Sequence, residues 1–358
     1  MIPRIGPVLA RRLISYTGSV EGVFKERPGR LKKIPNIGEY VLAALQDRRI
    51  FEQVDKELSF IDRYGIRPVF YLDSDYPARL RNCEDAPIML YIKGNLDLEK
   101  QKVLSIVGTR RATDRGLDLC RELVVDLART GEKVIIVSGL AYGIDVCAHK
   151  AALNNGLSTV AVLGHGLDTI YPSLHRQVAA EIVDTGALVS EFSSQTAFVR
   201  ANFISRNRII AGLSDATVVV ESGEKGGALI TADIANSYNR EVFAFPGRVD
   251  DPRSKGCNQL IKSSKASLIE DAADLAYVMG WEITRQKRKV VQQQLFDELE
   301  GMQKRIVDLL KTHGMLSMDD IGFRCESPVS KVSPLLLDLE FRGIVRSLPG
   351  NLYKLASN

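Results

Sequence analysis

The stretch Val134-Ile135-Ile136-Val137-Ser138-Gly139-Leu140-Ala141-Tyr142-Gly143-Ile144-Asp145 decides the architecture. Val134–Val137 is an unbroken β-branched run, as expected of a strand buried on both faces. Gly139 and Gly143 interrupt it, and a helical stripe follows. A strand, a glycine turn and a helix in that order form half of a βαβ unit.

The same plan repeats on both sides. Val103–Val107, Thr159–Leu163, Ala187–Glu191, Thr217–Val220 and Val242–Phe245 read as further strands. Helical segments lie between them: one spans Leu117 to Leu127, with Leu117, Cys120, Leu123, Val124 and Leu127 on one face, and another runs from Gly227 to Tyr238. The fold class is therefore α/β, an extended Rossmann-like parallel sheet, with ligands expected at the carboxyl ends of the strands. Val69–Tyr71 and Met89–Ile92 read as extra strands attached before the core.

Two smaller units flank the sheet. In residues 1–65, Ile5-Gly6-Pro7 and Ile34-Pro35-Asn36-Ile37-Gly38 each open an apolar helical stripe, Leu9/Leu13/Ile14 and Val41/Leu42/Leu45. This resembles a helix-hairpin-helix pair, whose turn amides can meet a phosphate; a small helical bundle with glycine at its turns fits equally. The first hairpin lacks an upstream helix, which points to a trimmed native N-terminus. Residues 66–281 form the Rossmann-like domain and residues 282–297 a polar, basic linker. Residues 298–358 carry three helical stripes and a hairpin, Gly343–Tyr353, which is a winged-helix pattern.

Charge is unevenly placed. Residues 1–70 hold 13 Lys and Arg against 8 Asp and Glu, whereas residues 71–281 hold 23 against 26. A nucleic-acid site on the central domain must therefore be a local basic groove. The C-terminal unit is balanced at 8 against 8, which speaks against strong duplex binding. Five scattered cysteines without a C-x-x-C pair argue against a zinc ribbon or disulfide framework and for a reducing, cytoplasmic location. No apolar run approaches the roughly 20 residues of a membrane span.

Three glycine turns follow strands: Val107-Gly108-Thr109-Arg110-Arg111, Ser138-Gly139-Leu140-Ala141-Tyr142-Gly143, and Glu221-Ser222-Gly223-Glu224-Lys225-Gly226-Gly227. One such turn is equally explained by backbone geometry; three at one sheet edge suit a track of several phosphates. None has the dinucleotide fingerprint, which removes a nicotinamide-dependent dehydrogenase, and no P-loop occurs. Arginines fill the gaps, at Arg110, Arg111 and Arg115 and again at Arg200, Arg206 and Arg208, with Phe203 among the latter. Guanidinium forks suit phosphates and an aromatic face suits an unstacked base, so the ligand read here is a single strand. The segment also fits an amphipathic helix start with Phe203 buried and the arginines solvated. Arg206 and Arg208 cannot share a helix face, so at least one points inward, toward Glu191 or Glu221. Asp145 and His149 read as a local cap and packing pair, and His165 as a residue able to line the cleft. No metal set or nucleophile with a base stands out.

Several of these motifs resemble the DNA-processing protein A (DprA/Smf) family. They are Ser138–Asp145 with Ala148-His149 and Ala151–Leu153, Arg206-Asn207-Arg208-Ile209-Ile210-Ala211-Gly212-Leu213-Ser214, Gly227–Ala232, and Phe245-Pro246-Gly247. The resemblance covers roughly residues 65–280. It implies a protein that is not an enzyme, has no cofactor, binds single-stranded DNA and delivers it to the RecA recombinase in natural transformation, as a homodimer. It also implies a helix-hairpin-helix or sterile-alpha-motif-like N-terminal domain and a winged-helix C-terminal domain. Ile204 stands where the family often has proline, and Cys257 where Ser or Thr is common. The expected DNA-binding set is Gly108, Thr109, Arg110, Gly139, Arg200, Phe203, Arg206, Asn207, Arg208, Gly226 and Gly227. The rival class is a Rossmann-like nucleoside-monophosphate hydrolase. Its Pro-Gly-Gly-x-Gly-Thr-x-x-Glu loop would fall on Gly226–Asp233, which lacks both the Pro-Gly-Gly start and the final Glu.

Overall fold

The computed structural model describes residues 2, 5–47, 49–95, 97–98, 101–194, 196–281, 299, 301–348 and 350–356. The linker expected at 282–297 lies outside them. The chain divides into two compact units, Met1–Arg285 and Gln286–Asn358.

The first unit opens with five helices, α1 (Pro7–Thr17), α2 (Val20–Lys25), α3 (Pro28–Leu31), α4 (Glu39–Gln46) and α5 (Arg49–Tyr64). Proline at the first position of α1 costs no hydrogen bond, because that N–H has no intrahelical acceptor. Leu13, Ile14, Val23, Leu31, Val41, Leu42 and Leu45 form a private core under these helices.

A nine-stranded sheet follows. Its strands are β1 (Arg67–Phe70), β2 (Met89–Gly94), β3 (Lys102–Val107), β4 (Val134–Ser138), β5 (Thr159–Leu163), β6 (Ala187–Ser190), β7 (Ala216–Val219), β8 (Glu241–Ala244) and β9 (Ser267–Leu268). The spatial order is β1-β2-β6-β5-β4-β3-β7-β8-β9. All neighbouring pairs from β6 to β9 are parallel, and β1 and β2 add antiparallel strands beside β6. The short edge strand β9 had no signal in the sequence. Between strands lie α6 (Ala78–Arg81), α7 (Asp114–Arg129), α8 (Ile144–Asn154), α9 (Arg176–Thr185), α10 (Arg200–Ser205), α11 (Asn207–Leu213), α12 (Gly227–Ser237), α13 (Lys255–Lys262) and α14 (Ala272–Met279).

The sheet is covered on both faces, and alternate residues of each strand go to opposite layers. Val103, Ile135 and Val160 pack on one side with Ile209 and Ala232; Leu104 and Ile136 pack on the other with Cys120 and Ala148. Strand order reverses between β3 and β7. The Thr109 amide donates to the Glu221 carbonyl there at 2.7 Å, so the first and third glycine turns meet at the switch point.

The second unit holds α15 (Gly301–His313), β10 (Met315–Ser317), α16 (Met318–Arg324), α17 (Val329–Phe341), β11 (Val345–Leu348) and β12 (Leu352–Leu355). The strands pair in the order β10-β12-β11 over a core of Ile306, Leu310, Ile321, Val332, Leu336 and Leu339. This is a winged helix; its third strand, β10, is an addition to the hairpin read from the sequence.

Candidate nucleic-acid interface

All three glycine turns lie at the carboxyl ends of parallel strands, after β3, β4 and β7. Their roles differ. The third turn opens α12: Gly226 and Gly227 are exposed, and no side chain caps the helix. The free N–H groups of the first turn of α12 present partial positive charge to an incoming anion. Asn207 stands behind this turn, its Nδ2 donating to the Gly227 carbonyl at 3.3 Å.

The second turn is an internal device. Gly139 is buried, and a Cβ built there would lie 1.7 Å from Arg206 Nη1. Only glycine leaves room for that guanidinium. Gly143 sits at φ +74, where its Cβ would strike the Thr109 carbonyl at 2.3 Å, so the second turn packs directly on the first. The Asp145 carboxylate accepts hydrogen bonds from the backbone of Ala141 and Gly139. The Gly139 backbone, expected to hold a phosphate, thus faces the Asp145 carboxylate instead. Burial raises the Asp145 pKa, opposed by Arg206, those backbone bonds and Arg110.

The first turn carries Arg110 and Arg111 outward, both exposed, while Gly108 and Thr109 are half-buried. Glu221 steadies it by accepting from the Thr113 amide at 2.9 Å, at the start of α7.

The segment Arg206-Asn207-Arg208 departs from the expected set. All three side chains are buried. Arg206 donates from Nη1 to the Val162 carbonyl at 2.6 Å, and burial lowers its pKa against the pull of Asp145. Arg208 donates to the Asp85 carbonyl at 2.6 Å and pairs with Glu191. The inward pairing of Arg208 with Glu191 matches one sequence alternative, and both arginines are internal where at least one was expected. Arg208 is internal because every residue of α11 is buried, and Arg206, just ahead of α11, fills the space left by Gly139. Gly139, Arg206 and Arg208, expected as direct phosphate contacts, are internal instead: Arg206 packs against the second turn at Gly139, Arg208 ties Asp85 to Glu191, and Asn207 braces the start of α12.

Arg200 and Phe203 lie in α10. Arg200 is exposed and Phe203 half-buried. The Phe203 ring packs over Gly164 and belongs to a cluster that sequence reading missed. Phe198 and His165 stack at 4.9 Å and 22°. Tyr171 meets Phe198 at 5.7 Å and Phe203 at 5.8 Å, both edge-on. His165 does not line the cleft; it is 1% exposed, and burial lowers its pKa. The available signal was the aromatic Phe198 two residues before Arg200.

Asp145 and His149 do not form the expected pair. His149 Nδ1 donates to Thr159 Oγ1 at 2.7 Å, because that hydroxyl spends its own proton on the Ile136 carbonyl. Burial takes the His149 pKa down to about 3. Among the described residues no group of three or more His, Cys, Asp or Glu could hold a metal ion, and no helix is long and apolar enough to cross a membrane.

Comparison with known proteins places this geometry. The sequence model of the family described as DNA recombination-mediator protein A matches residues 67–280, and the DprA winged helix domain matches residues 292–351. Protein Smf of Synechocystis sp. is 37% identical over 279 residues, covering 76% of this chain and 69% of the relative. DNA processing protein DprA of Streptococcus pneumoniae is 39% identical over 204 residues, covering 57% of this chain and 71% of its own. The X-ray structure of DprA from Streptococcus pneumoniae superposes with a TM-score of 0.66 at 34% identity, covering 75% of this chain and 91% of that one. A structure of DNA processing protein A from Helicobacter pylori, which concerns that protein's single-stranded DNA binding mode, gives 0.54 at 28% identity, covering 60% and 96%. With the family match spanning the whole parallel sheet and its three turns, the chain belongs to the DNA recombination-mediator protein A family.

Proposed function

We propose that this protein binds single-stranded DNA along the carboxyl edge of its parallel sheet and delivers it to the RecA recombinase in natural transformation. It acts as a cytoplasmic homodimer and as a binding protein, not an enzyme. The observation that carries the binding step is the uncapped, exposed start of α12 at Gly226–Gly227, in a sheet edge that also presents Arg110, Arg200 and the half-buried ring of Phe203. Helix amides and guanidinium groups take phosphates, and a ring edge takes a base. The direct contacts are then Arg110, Arg200, Phe203, Gly226 and Gly227, with Gly108 and Thr109 shaping the first turn. Gly139, Arg206, Asn207 and Arg208 position them.

Two relations support this reading. The Helicobacter pylori relative is described by its single-stranded DNA binding mode. The rival hydrolase needs the Pro-Gly-Gly start and final Glu of its loop, and Gly226–Asp233 has neither; Asp233, at its end, pairs with Lys265 at 2.8 Å. Five free, buried cysteines suit a reducing cytoplasm. We assign the helical domain to residues 1–65, the DNA-binding domain to 66–281, the linker to 282–297 and the winged helix to 298–358.

Binding of oligo-dT and of a duplex of equal length, compared at matched salt, tests the reading. Tighter binding of the single strand is expected. Equal affinity for the duplex overturns it, and release of free base from a nucleoside monophosphate would favour the hydrolase instead.

A further inference from the structure

We propose that the rings of Tyr171 and Phe198 form a shelf on which an unpaired nucleobase docks, and that Glu57 of the N-terminal helical domain holds this shelf in place. The inference rests on the single-strand reading above and adds residues that reading does not use.

Four rings gather at the carboxyl ends of β5 and β6. The two inner ones are mostly covered by protein: His165 is 1% exposed, and Phe203 is half-buried over Gly164. The two outer ones are not. Tyr171 is 53% exposed and Phe198 49% exposed, although each has a ring neighbour within 6 Å. Large aromatic rings left half in water, yet held at defined angles by neighbouring rings, are the arrangement that base stacking needs. A floppy surface ring would lose rotamer entropy on binding; a ring already stacked on His165 loses little.

The occupant follows from continuity. In the sheet, β5 is next to β4, then β3, then β7. With roughly 4.8 Å between strands, the shelf lies about 14 Å along the same edge from the α12 turn. Exposed Arg200 stands two residues after Phe198, and exposed Arg110 lies on the β3 turn between the two ends. A polyanion lying on the arginines thus meets rings at one end of the track and helix amides at the other. A single strand has bases free to stack there; a duplex does not.

The chain that leads to Phe198 is held at Ser194. The loop after β6 is clasped by Glu57 of α5, which is 6% exposed. The Ser194 amide donates to both Glu57 oxygens, at 2.9 and 3.0 Å, and the Ser194 hydroxyl donates to Oε2 at 2.5 Å. Ser194 is four residues before Phe198. A buried carboxylate spending three hydrogen bonds on a loop from another part of the chain is a positioning contact. It gives the N-terminal domain a part in DNA binding that needs no contact with DNA.

The test uses the full chain with oligo-dT and an abasic oligonucleotide of equal length and backbone charge. The wild type is expected to prefer oligo-dT. Tyr171→Ala with Phe198→Ala should weaken oligo-dT binding by roughly 5- to 150-fold, leave abasic binding and the salt slope unchanged, and keep the melting temperature. Tyr171→Phe with Phe198→Tyr should restore the preference. Glu57→Ala should reduce the preference in the same direction, and Glu57→Gln, which still accepts from Ser194, should recover part of it. A wild type that binds both oligonucleotides equally overturns the shelf while leaving the phosphate track standing. Variants that keep the preference overturn it too. A wild type that binds neither overturns the single-strand reading and the shelf with it.

Discussion

Arg200 and Arg208 belong to one short segment, yet they live in different environments. Arg200 begins α10 and reaches solvent, whereas Arg208 lies in α11, where every residue is buried. The two arginines therefore answer to different physics. A buried guanidinium is held by fixed partners and acts on geometry; an exposed one is free to neutralise a phosphate and acts on affinity through counterion release. A motif rich in arginine does not say by itself which kind it contains.

The largest expected effect falls on the buried side. Arg208→Ala leaves the Glu191 carboxylate buried without its partner, and burial already raises the Glu191 pKa. A stability loss of about 3–5 kcal/mol is expected, read as a large fall in denaturation midpoint. A midpoint near wild type would move Arg208 to the exposed class.

Next is the pH dependence of the same interior. His149 has a folded pKa of about 3 against 6.5 when unperturbed. A base with a depressed folded pKa is fully stabilising above its unfolded pKa, and that contribution is lost as pH falls from 6.5 toward 3. Between pH 7 and pH 5 the loss from this one residue is about 2 kcal/mol. In His149→Asn, which keeps an amide donor near Thr159, unfolding midpoints should show a shallower acid slope. An unchanged slope would mean that other groups set the acid limit.

Phe203 sits between the two classes, half-buried inside the ring cluster. Phe203→Ala should cost roughly 1–3 kcal/mol of oligo-dT binding. The salt slope should hold, because no phosphate contact is removed. A large drop in melting temperature with affinity of the folded fraction intact would place Phe203 wholly with the core.

How far the sequence led follows the same division. The strands β3 to β8 were legible because continuous Val, Ile and Ala runs have one physical meaning, a strand covered on both faces. The turns were legible because glycine before a helix is a local signal. The short strand β9 was not, since Ser267 and Leu268 are both exposed and carry no burial pattern. The fates of Gly139 and Arg206 were not legible either. Gly139 resembles a phosphate-approach glycine, but its missing Cβ is filled by a guanidinium 67 positions further along the chain. That contact depends on how α11 docks under β4 and β5, which no local pattern encodes. The aromatic shelf was hidden for the same reason: Tyr171 and Phe198 are separated in sequence and adjoin only where β5 and β6 end.

The smallest energetic effect gives the sharpest separation of the two arginine classes. The measurement is the slope of log K against log salt for oligo-dT binding, taken for the wild type, for Arg110→Ala with Arg200→Ala, and for Arg208→Ala. Each lost phosphate contact on a single strand should reduce the slope by about 0.7. The double variant should therefore lose about 1.4 in slope at an unchanged melting temperature. Arg208→Ala should melt far earlier, while its folded fraction keeps the wild-type slope. A slope reduced by about 0.7 in Arg208→Ala, with an unchanged slope in the double variant, would contradict the division between an internal brace and an exposed binding rim.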